Sequence, residues 1–520
     1  VFLFSSLFSQ NVENVFYDFS SHQGHTLKRG DLMWNEDWSS NGIFFDGTFS
    51  NFSSMYGPQI ELNLFKSSLD SLKVDSIFTK SYFDYVQGDY FLDNLDLGIN
   101  YIKMNRRIDL HAFKRRYAGL YNQYNNNSGL ITPVQYTYIG RYSYEGVNDQ
   151  LSVSLGNFNS DFGLFDSTNI SFIDSRITSS NVKYNFSYDS LDIKVNYHNF
   201  LQRLDSFHSS SINNGVVYLT RTKLSSSVSL INSKNFMYGA LINFNKRSLD
   251  IDNTKTYGWI SFNVFLKNKK SQFYIGINSY EDGQKLIASG ESNFKHNSFN
   301  SKLNAGRSLN PAHISFTDTI LFEQKDHFWI ENSFILNKSK IGIDFAFYKI
   351  NRNSTYMGLP KNGFNNWMFF YVNHYFSNGL FFHIGYSLVD NLDYVSDGIK
   401  NRLKIKVGNN FKLFSNAMSV HYSISLNGYL NRKNEYSLSP VEKFPFKTDQ
   451  ISELEDIWIP YFNLKCVVKN VEITYEMNNV LNIIYDSLGK NYNDDQIIFN
   501  QYYPSASRMA SLSIKWSFLN

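Results

Sequence analysis

The chain has 520 residues and a formal net charge of +3, which excludes a polybasic nucleic-acid binder and an acidic tail. Mean hydropathy is −0.34, yet 36 Tyr and 47 Phe bring aromatics to 17%, a combination that arises when half of every strand is apolar while the other half and the loops are polar. A helical membrane protein needs runs of about 18 or more apolar residues; the densest run here, Trp367 to Val372, is far shorter, and the single Cys466 excludes an internal disulfide framework.

Val1 to Gln10 is an apolar run followed by small Ser and then Gln. It reads as the tail of a secretory signal peptide over residues 1–9, the alternative being a buried N-terminal strand. Residues 10–41 show no clear period and read as a lead-in. From about Gly42 the alternating segments begin, and residues 42–520 read as one barrel domain.

Leu95, Leu97, Ile99 and Tyr101 alternate with Asp96, Gly98 and Asn100. Val182, Tyr184, Phe186 and Tyr188 alternate with Lys183, Asn185 and Ser187; after Asp189-Ser190 the pattern resumes in Leu191, Ile193, Val195 and Tyr197. Such a pair reads as a tight hairpin. Ile260 to Leu266, Phe273 to Ile277, Ile341 to Phe347, Leu403 to Val407 and Val420 to Leu426 repeat the pattern. Period two puts one set of side chains on each face of a sheet. No amphipathic helix interrupts the series, so the fold class is all-β.

Phe462–Lys469 and Val471–Val480 read as strands joined tightly around Asn470, followed by a long polar connection over Leu481–Ser507 and a last strand from Arg508. Outer-membrane barrels have short periplasmic turns and long extracellular loops. The Asn470 turn is therefore expected inside, with the connections over 481–507 and 431–455 outside, as well as 125–129 and 351–366. The roughly 480 residues after the lead-in give on the order of 22 strands, within a range of about 18 to 24, in a transmembrane antiparallel up-and-down β-barrel.

In the last strand Leu512, Ile514, Trp516 and Phe518 form a wholly apolar row expected to face lipid, and Lys515 falls in the polar row. By the same parity Lys183, Asp192, Lys194, Arg402, Lys404, Lys406, Lys465, Lys469, Glu472 and Glu476 are expected to face the lumen. They would form a mixed-charge, slightly basic wall that biases solutes, or else a solvated wall without selectivity. Tyr188, Tyr197, Trp516 and Phe518 suit interfacial girdles. Cys466 shares the lipid-facing parity.

Arg106, Arg107, His111, Lys114, Arg115 and Arg116 form a basic cluster. Three readings stand: an anion constriction, a rim meeting lipid phosphates, or scattered strand-end charges. Alternation breaks at Phe113 and leaves the facing open. The chain carries no G-x-S-x-G elbow, H-E-x-x-H, Walker loop or dinucleotide glycine pattern. An enzyme is not expected, a barrel-embedded Ser/His/Asp site being the alternative, and no cofactor is implied.

YEMNNVLN at Tyr475–Asn482, YYPSASR at Tyr502–Arg508 and KWSFLN at Lys515–Asn520 resemble the final hairpin of Bacteroidetes outer-membrane barrels. Both the TonB-dependent receptors and the porin family of that phylum share the marks, which cover about 45 residues of this chain. The usual YPxPGR is here YPSASR, and Phe518 stands third from the end. A receptor of that kind carries a plug before its barrel; alternation from about Gly42 leaves no space for one, so the resemblance favours the porin family. It implies the outer membrane of a Gram-negative bacterium, contact with lipid and with the barrel-assembly machinery, and passive or weakly selective passage of a small solute. The alternatives are a transport barrel with a separate plug or surface lipoprotein partner, a non-transporting barrel that binds ligands through its long loops, and a soluble secreted propeller or sandwich used in adhesion.

Overall fold

A computed structural model describes residues 74–116, 118, 134–163, 171–207, 215–231, 236–250, 253–280, 283–313, 321–352, 363–390, 399–433, 453–489 and 508–519. It also places isolated strand pieces at Val12–Asn14, Thr26–Lys28, Asp31–Met33, Ile43–Phe44, Glu61–Leu62, Tyr436–Leu438 and Pro445–Lys447. Twenty-two antiparallel strands, Val74–Gly88 through Met509–Leu519, follow one another in chain order and close into a ring. The strand number matches the count expected from length alone. Among the described residues the strands of the ring start at Val74; Ile43–Phe44 and Glu61–Leu62 pair with each other in a two-stranded piece. The signal-peptide reading of residues 1–9 lies outside the described residues.

Closure joins the last strand to the first, in register from Ser511 opposite Gly88 to Leu519 opposite Lys80. Asp89 clamps one end of this seam. Its carboxylate accepts the Ala510 backbone N–H at 2.8 Å, and its own N–H donates to the Ala510 carbonyl at 2.9 Å. A closed ring leaves no unpaired strand edge, which is what permits a sheet to sit in hydrocarbon.

One rim is made of tight turns. Asp189, Asn297, Asn337 and Lys469 open two-residue turns in the left-handed region, with φ of 51°, 48°, 48° and 50°. Asn and Asp tolerate that backbone best. The turn at Lys469–Asn470 joins Ile457–Val468 to Val471–Asn478 as the spacing predicts. The connections 117–133, 353–362, 434–456 and 479–508 all leave from the opposite rim. The four loops expected on one side therefore do share a side. One element was not expected: a seven-residue helix, Leu481–Ser487, opens the last long connection. Seven residues are too few to display a helical period in the sequence.

Large apolar side chains that remain exposed fall in one alternating row on each strand, among them Leu97, Ile99, Val228, Ile275 and Leu512. Exposure on this scale is stable only against hydrocarbon. On Leu191–Phe207 the row runs Leu191, Ile193, Val195, Tyr197, then Asn199, which accepts the Thr222 hydroxyl at 3.0 Å, and Leu201, and turns ionic at Arg203 and Asp205. Arg203 pairs with Asp174 at 3.0 Å and Asp205 at 2.9 Å, and Arg176 with Asp174 at 3.1 Å. The apolar part spans about the 9–11 residues a tilted strand needs to cross a bilayer; the ion pairs mark its end.

Candidate functional site: the polar face of the barrel

Register tracing assigns the other face residue by residue. Glu472, Lys515, Asp84 and Asp96 stand opposite one another on consecutive strands. Lys515 Nζ lies 3.8 Å from Asp84 across the seam, and Lys465 Nζ lies 2.6 Å from Glu472. Glu476 accepts the Tyr461 hydroxyl at 2.5 Å and the Asn463 amide at 2.8 Å. Asp96 accepts the Tyr82 hydroxyl at 3.1 Å and lies 2.6 Å from His111 Nε2. Tyr82 reaches it by lying over Gly98, where an added Cβ would meet the ring at 2.1 Å. Asp109, 2% exposed, accepts from Arg107 Nε at 2.8 Å and Arg141 Nε at 2.8 Å, as well as from the Asn100 amide. A buried carboxylate of this kind is stable only when paired and fully hydrogen-bonded. The result is an arc of cations and carboxylates on the polar face across seven consecutive strands.

The basic cluster is divided by this arrangement. On Arg106–Arg116, Arg107 and His111 share the polar face with Asp109 and Phe113, while Lys114 shares the face of Ile108 and Leu110 and pairs with Asp93 at 3.3 Å. Arg106 stands opposite Lys103 beside a tight turn; Arg115 and Arg116 stand opposite Asn94 and Asp93 at the other end of the strand. The break in alternation at Phe113 is a large ring on the polar face, 8% exposed. The six residues do not form one block.

Of the other residues singled out in the sequence, Asp192 is buried, with Lys194 at 2.7 Å and the Ser187 hydroxyl at 2.8 Å. Lys183 stands opposite Asn196 and Ser152. Arg402 is buried and donates to the Ile399 carbonyl at 3.3 Å. Lys404 stands opposite Gly385, and Lys469 lies in its turn rather than on a strand. Leu512, Ile514, Trp516 and Phe518 share the exposed apolar row, the last two rings stacked at 4.8 Å.

A second arc of the polar face is aromatic, and the sequence reading did not single it out. On Gly363–Tyr375 the run Trp367–Val372 splits between faces: Phe370 is exposed, while Trp367, Phe369 and Tyr371 are buried on the other side. These rings step along the strand at centroid separations of 5.8 and 5.4 Å. Trp329, Ala346, Tyr348 and Val389 complete the cluster. Tyr371 lies over Gly342, where an added Cβ would approach the ring to 2.2 Å, so the ring runs flat along the wall. Ammonium groups sit over the rings: Lys302 on Trp329 at 4.9 Å, Lys325 on Tyr348 at 4.5 Å, Lys340 on Tyr371 at 5.4 Å and Lys406 on Phe381 at 5.8 Å. Each such contact contributes about 0.5–1 kcal/mol, more where dry. A signal was available: a strand-length run without alternation means apolar groups on both faces. Among the described residues no three His, Cys, Asp or Glu side chains gather as a metal site.

A closed 22-strand ring with an exposed apolar belt and an opposite polar face is the architecture of large outer-membrane β-barrels. Solved structures of that fold superpose on this chain. The FrpB iron transporter from Neisseria meningitidis (F5-1 variant) matches at a TM-score of 0.66 and 9% identity, covering 98% of this chain and 100% of that one. A mutant ferric enterobactin receptor (PfeA) from Pseudomonas aeruginosa matches at 0.64 and 8%, covering 85% and 81%. The siderophore receptor PirA from Acinetobacter baumannii matches at 0.63 and 9%, covering 86% and 81%. No family model and no curated protein matches the sequence.

Proposed function

We propose that this chain is an outer-membrane barrel that passes small solutes through a water-filled lumen lined by its polar face, in the manner of a weakly selective porin. The observation that carries the reading is the pairing of an exposed apolar face with an opposite face rich in polar and charged side chains around a closed ring. A ring of 22 strands encloses a lumen too wide for wall side chains to fill. Lys183, Asp192, Lys194, Arg402, Lys404, Lys406, Lys465, Glu472, Glu476 and Lys515 are then lumen residues. In the basic cluster Arg107 and His111 are held to the wall by carboxylates rather than projecting as an anion constriction. Leu512, Ile514, Trp516 and Phe518 meet lipid, and the C-terminal strand is the part the assembly machinery reads.

A second reading has its own support. The similar structures are described as an iron transporter and siderophore receptors, which favours a barrel that captures a ligand and works with a separate plug or surface lipoprotein. Planar-bilayer recording on the folded protein separates the two. Steady ohmic conductance supports the porin-like channel. A sealed bilayer, with conductance absent until a partner or ligand is supplied, would overturn it in favour of the receptor.

A further inference from the structure

Rings and ammonium groups recur down one wall of the barrel. Nearest the long-loop rim, Tyr348 lies under Lys325. One step further, Trp329 under Lys302 shares a row with Trp367, since both stand opposite Ala346. Phe369 follows, then Tyr371 under Lys340. Tyr375 and Phe381, 6.3 Å apart with Lys406 over the latter, reach the tight-turn rim. Rings therefore recur from one rim to the other, with Asn373 standing between Tyr371 and Tyr375.

We propose that this wall is a path for anions that carry a flat carbon ring, the aryl-carboxylate and aryl-sulfonate class, and that it sets which solutes the barrel prefers. The proposal rests on reading the polar face as a lumen wall and deepens the reading of a solute-passing barrel. A lysine head over a ring is on a flexible stem and can swing to an anionic oxygen, while the ring it leaves takes the flat face of the solute. Stacking alone would hold any flat compound, and ammonium groups alone any anion; their superposition selects solutes with both features. Ring centroids 5.8 and 5.4 Å apart from Trp367 through Phe369 to Tyr371 allow a solute to move along these three rings without losing contact. Glu331 and Asp344 stand opposite each other on the same wall, giving the lysine heads carboxylates within the arc and excluding a simple field of positive charge. Lys302 itself pairs with Glu291 at 3.2 Å, as Lys465 and Lys515 lie 2.6 and 3.8 Å from carboxylates around the seam; what sets the aromatic arc apart is its run of stacked rings.

The test is calorimetric titration of the full chain in detergent with 2-naphthalenesulfonate, cyclohexanesulfonate and 2-naphthol. The flat anion should bind about tenfold more tightly than the non-flat anion or the flat neutral compound. The combined substitution Lys302→Gln, Lys340→Gln and Lys406→Gln keeps every ring and should weaken that binding by about tenfold, whereas Lys465→Gln leaves it unchanged. Gel mobility before and after heating confirms that both variants are folded. Equal affinity for the three compounds, no binding, or indifference to the triple substitution would overturn the path. Bilayer conductance is measured on the same preparations. Conductance without selective binding keeps the channel and removes the path; selective binding without conductance keeps the aromatic site and removes the channel.

Discussion

The seam arc and the aromatic arc use the same scaffold to opposite ends. Around the seam every charge named above has an opposite charge or a hydrogen-bond donor within 3.8 Å, and the tyrosines Tyr82 and Tyr461 are used to bond Asp96 and Glu476. Along Gly363–Tyr375 the rings pack on one another and on the flat strands beneath, and the cations rest on rings. The first arrangement holds the ring closed where the first and last strands meet. The second sets lysine heads over stacked rings, with Lys302 also paired to Glu291 at 3.2 Å. The buried Asp109 pairs cost much to separate, while a ring face is given up easily, so the aromatic arc is the one expected to respond to a solute.

The largest effect is expected in the seam arc. Asp109→Ala removes the carboxylate shared by Arg107 and Arg141 and strands two guanidinium groups on a wall where the acid was almost wholly buried. Breaking a buried pair in this way costs about 3–5 kcal/mol. The midpoint of urea unfolding in lipid should fall accordingly. An unchanged midpoint would show that the arc is solvated and that its pairing does not hold the barrel together.

Facing comes next. Leu512→Arg puts a cation on the apolar belt and should cost about 2–4 kcal/mol near mid-bilayer, whereas Ser513→Arg, one residue on, should cost less than about 1 kcal/mol. Refolding yield into liposomes, followed by gel mobility, reads both. Equal penalties would mean that the two rows of the terminal strand do not see different solvents.

Why did the sequence reveal one arc and not the other? Asp96, Lys183, Lys465, Glu472 and Lys515 lie in strands whose polar residues recur at every second position, and period two is visible without coordinates. The strand count follows from length and the position of the loops from their spacing. What periodicity cannot show is partnership. The bond from Arg141 to Asp109 joins residues far apart in the chain through a register known only once the strands are aligned. The division of the basic cluster was hidden for a related reason: Phe113 on the polar face looks like a lost period. The aromatic wall was masked most fully, because Trp367, Phe369 and Tyr371 interleave with Met368, Phe370 and Val372, and an apolar run on both faces carries no parity to read.

Glycine-to-alanine changes compare the arcs at smaller scale. Gly342→Ala forces the Tyr371 ring off the wall, and Gly98→Ala does the same to Tyr82. Each should cost about 1–3 kcal/mol as overpacking. Gly98→Ala also breaks the Tyr82–Asp96 hydrogen bond and Gly342→Ala the one between Tyr371 and Ser333, so the two costs should agree to within about 1 kcal/mol. Thermal unfolding of the two variants side by side gives the difference. A clearly larger cost for Gly342→Ala would mean that the ring stack adds to the hold on Tyr371.

The smallest effect on stability, and the most direct on permeation, comes from Lys465→Ala. The Lys465–Glu472 pair at 2.6 Å is about a third exposed, and pairs of that kind contribute roughly 0–1 kcal/mol. Folding should hardly notice. Glu472 would then be an uncompensated carboxylate on the wall, and reversal potentials in a potassium chloride gradient should shift toward cation preference. Adding Glu472→Gln should return the potential to its starting value, because the pair is neutral whether both charges are present or both absent. A shift that persists in the double variant would mean that Lys465 acts on permeating ions directly, and that the seam arc shares in selectivity with the aromatic one.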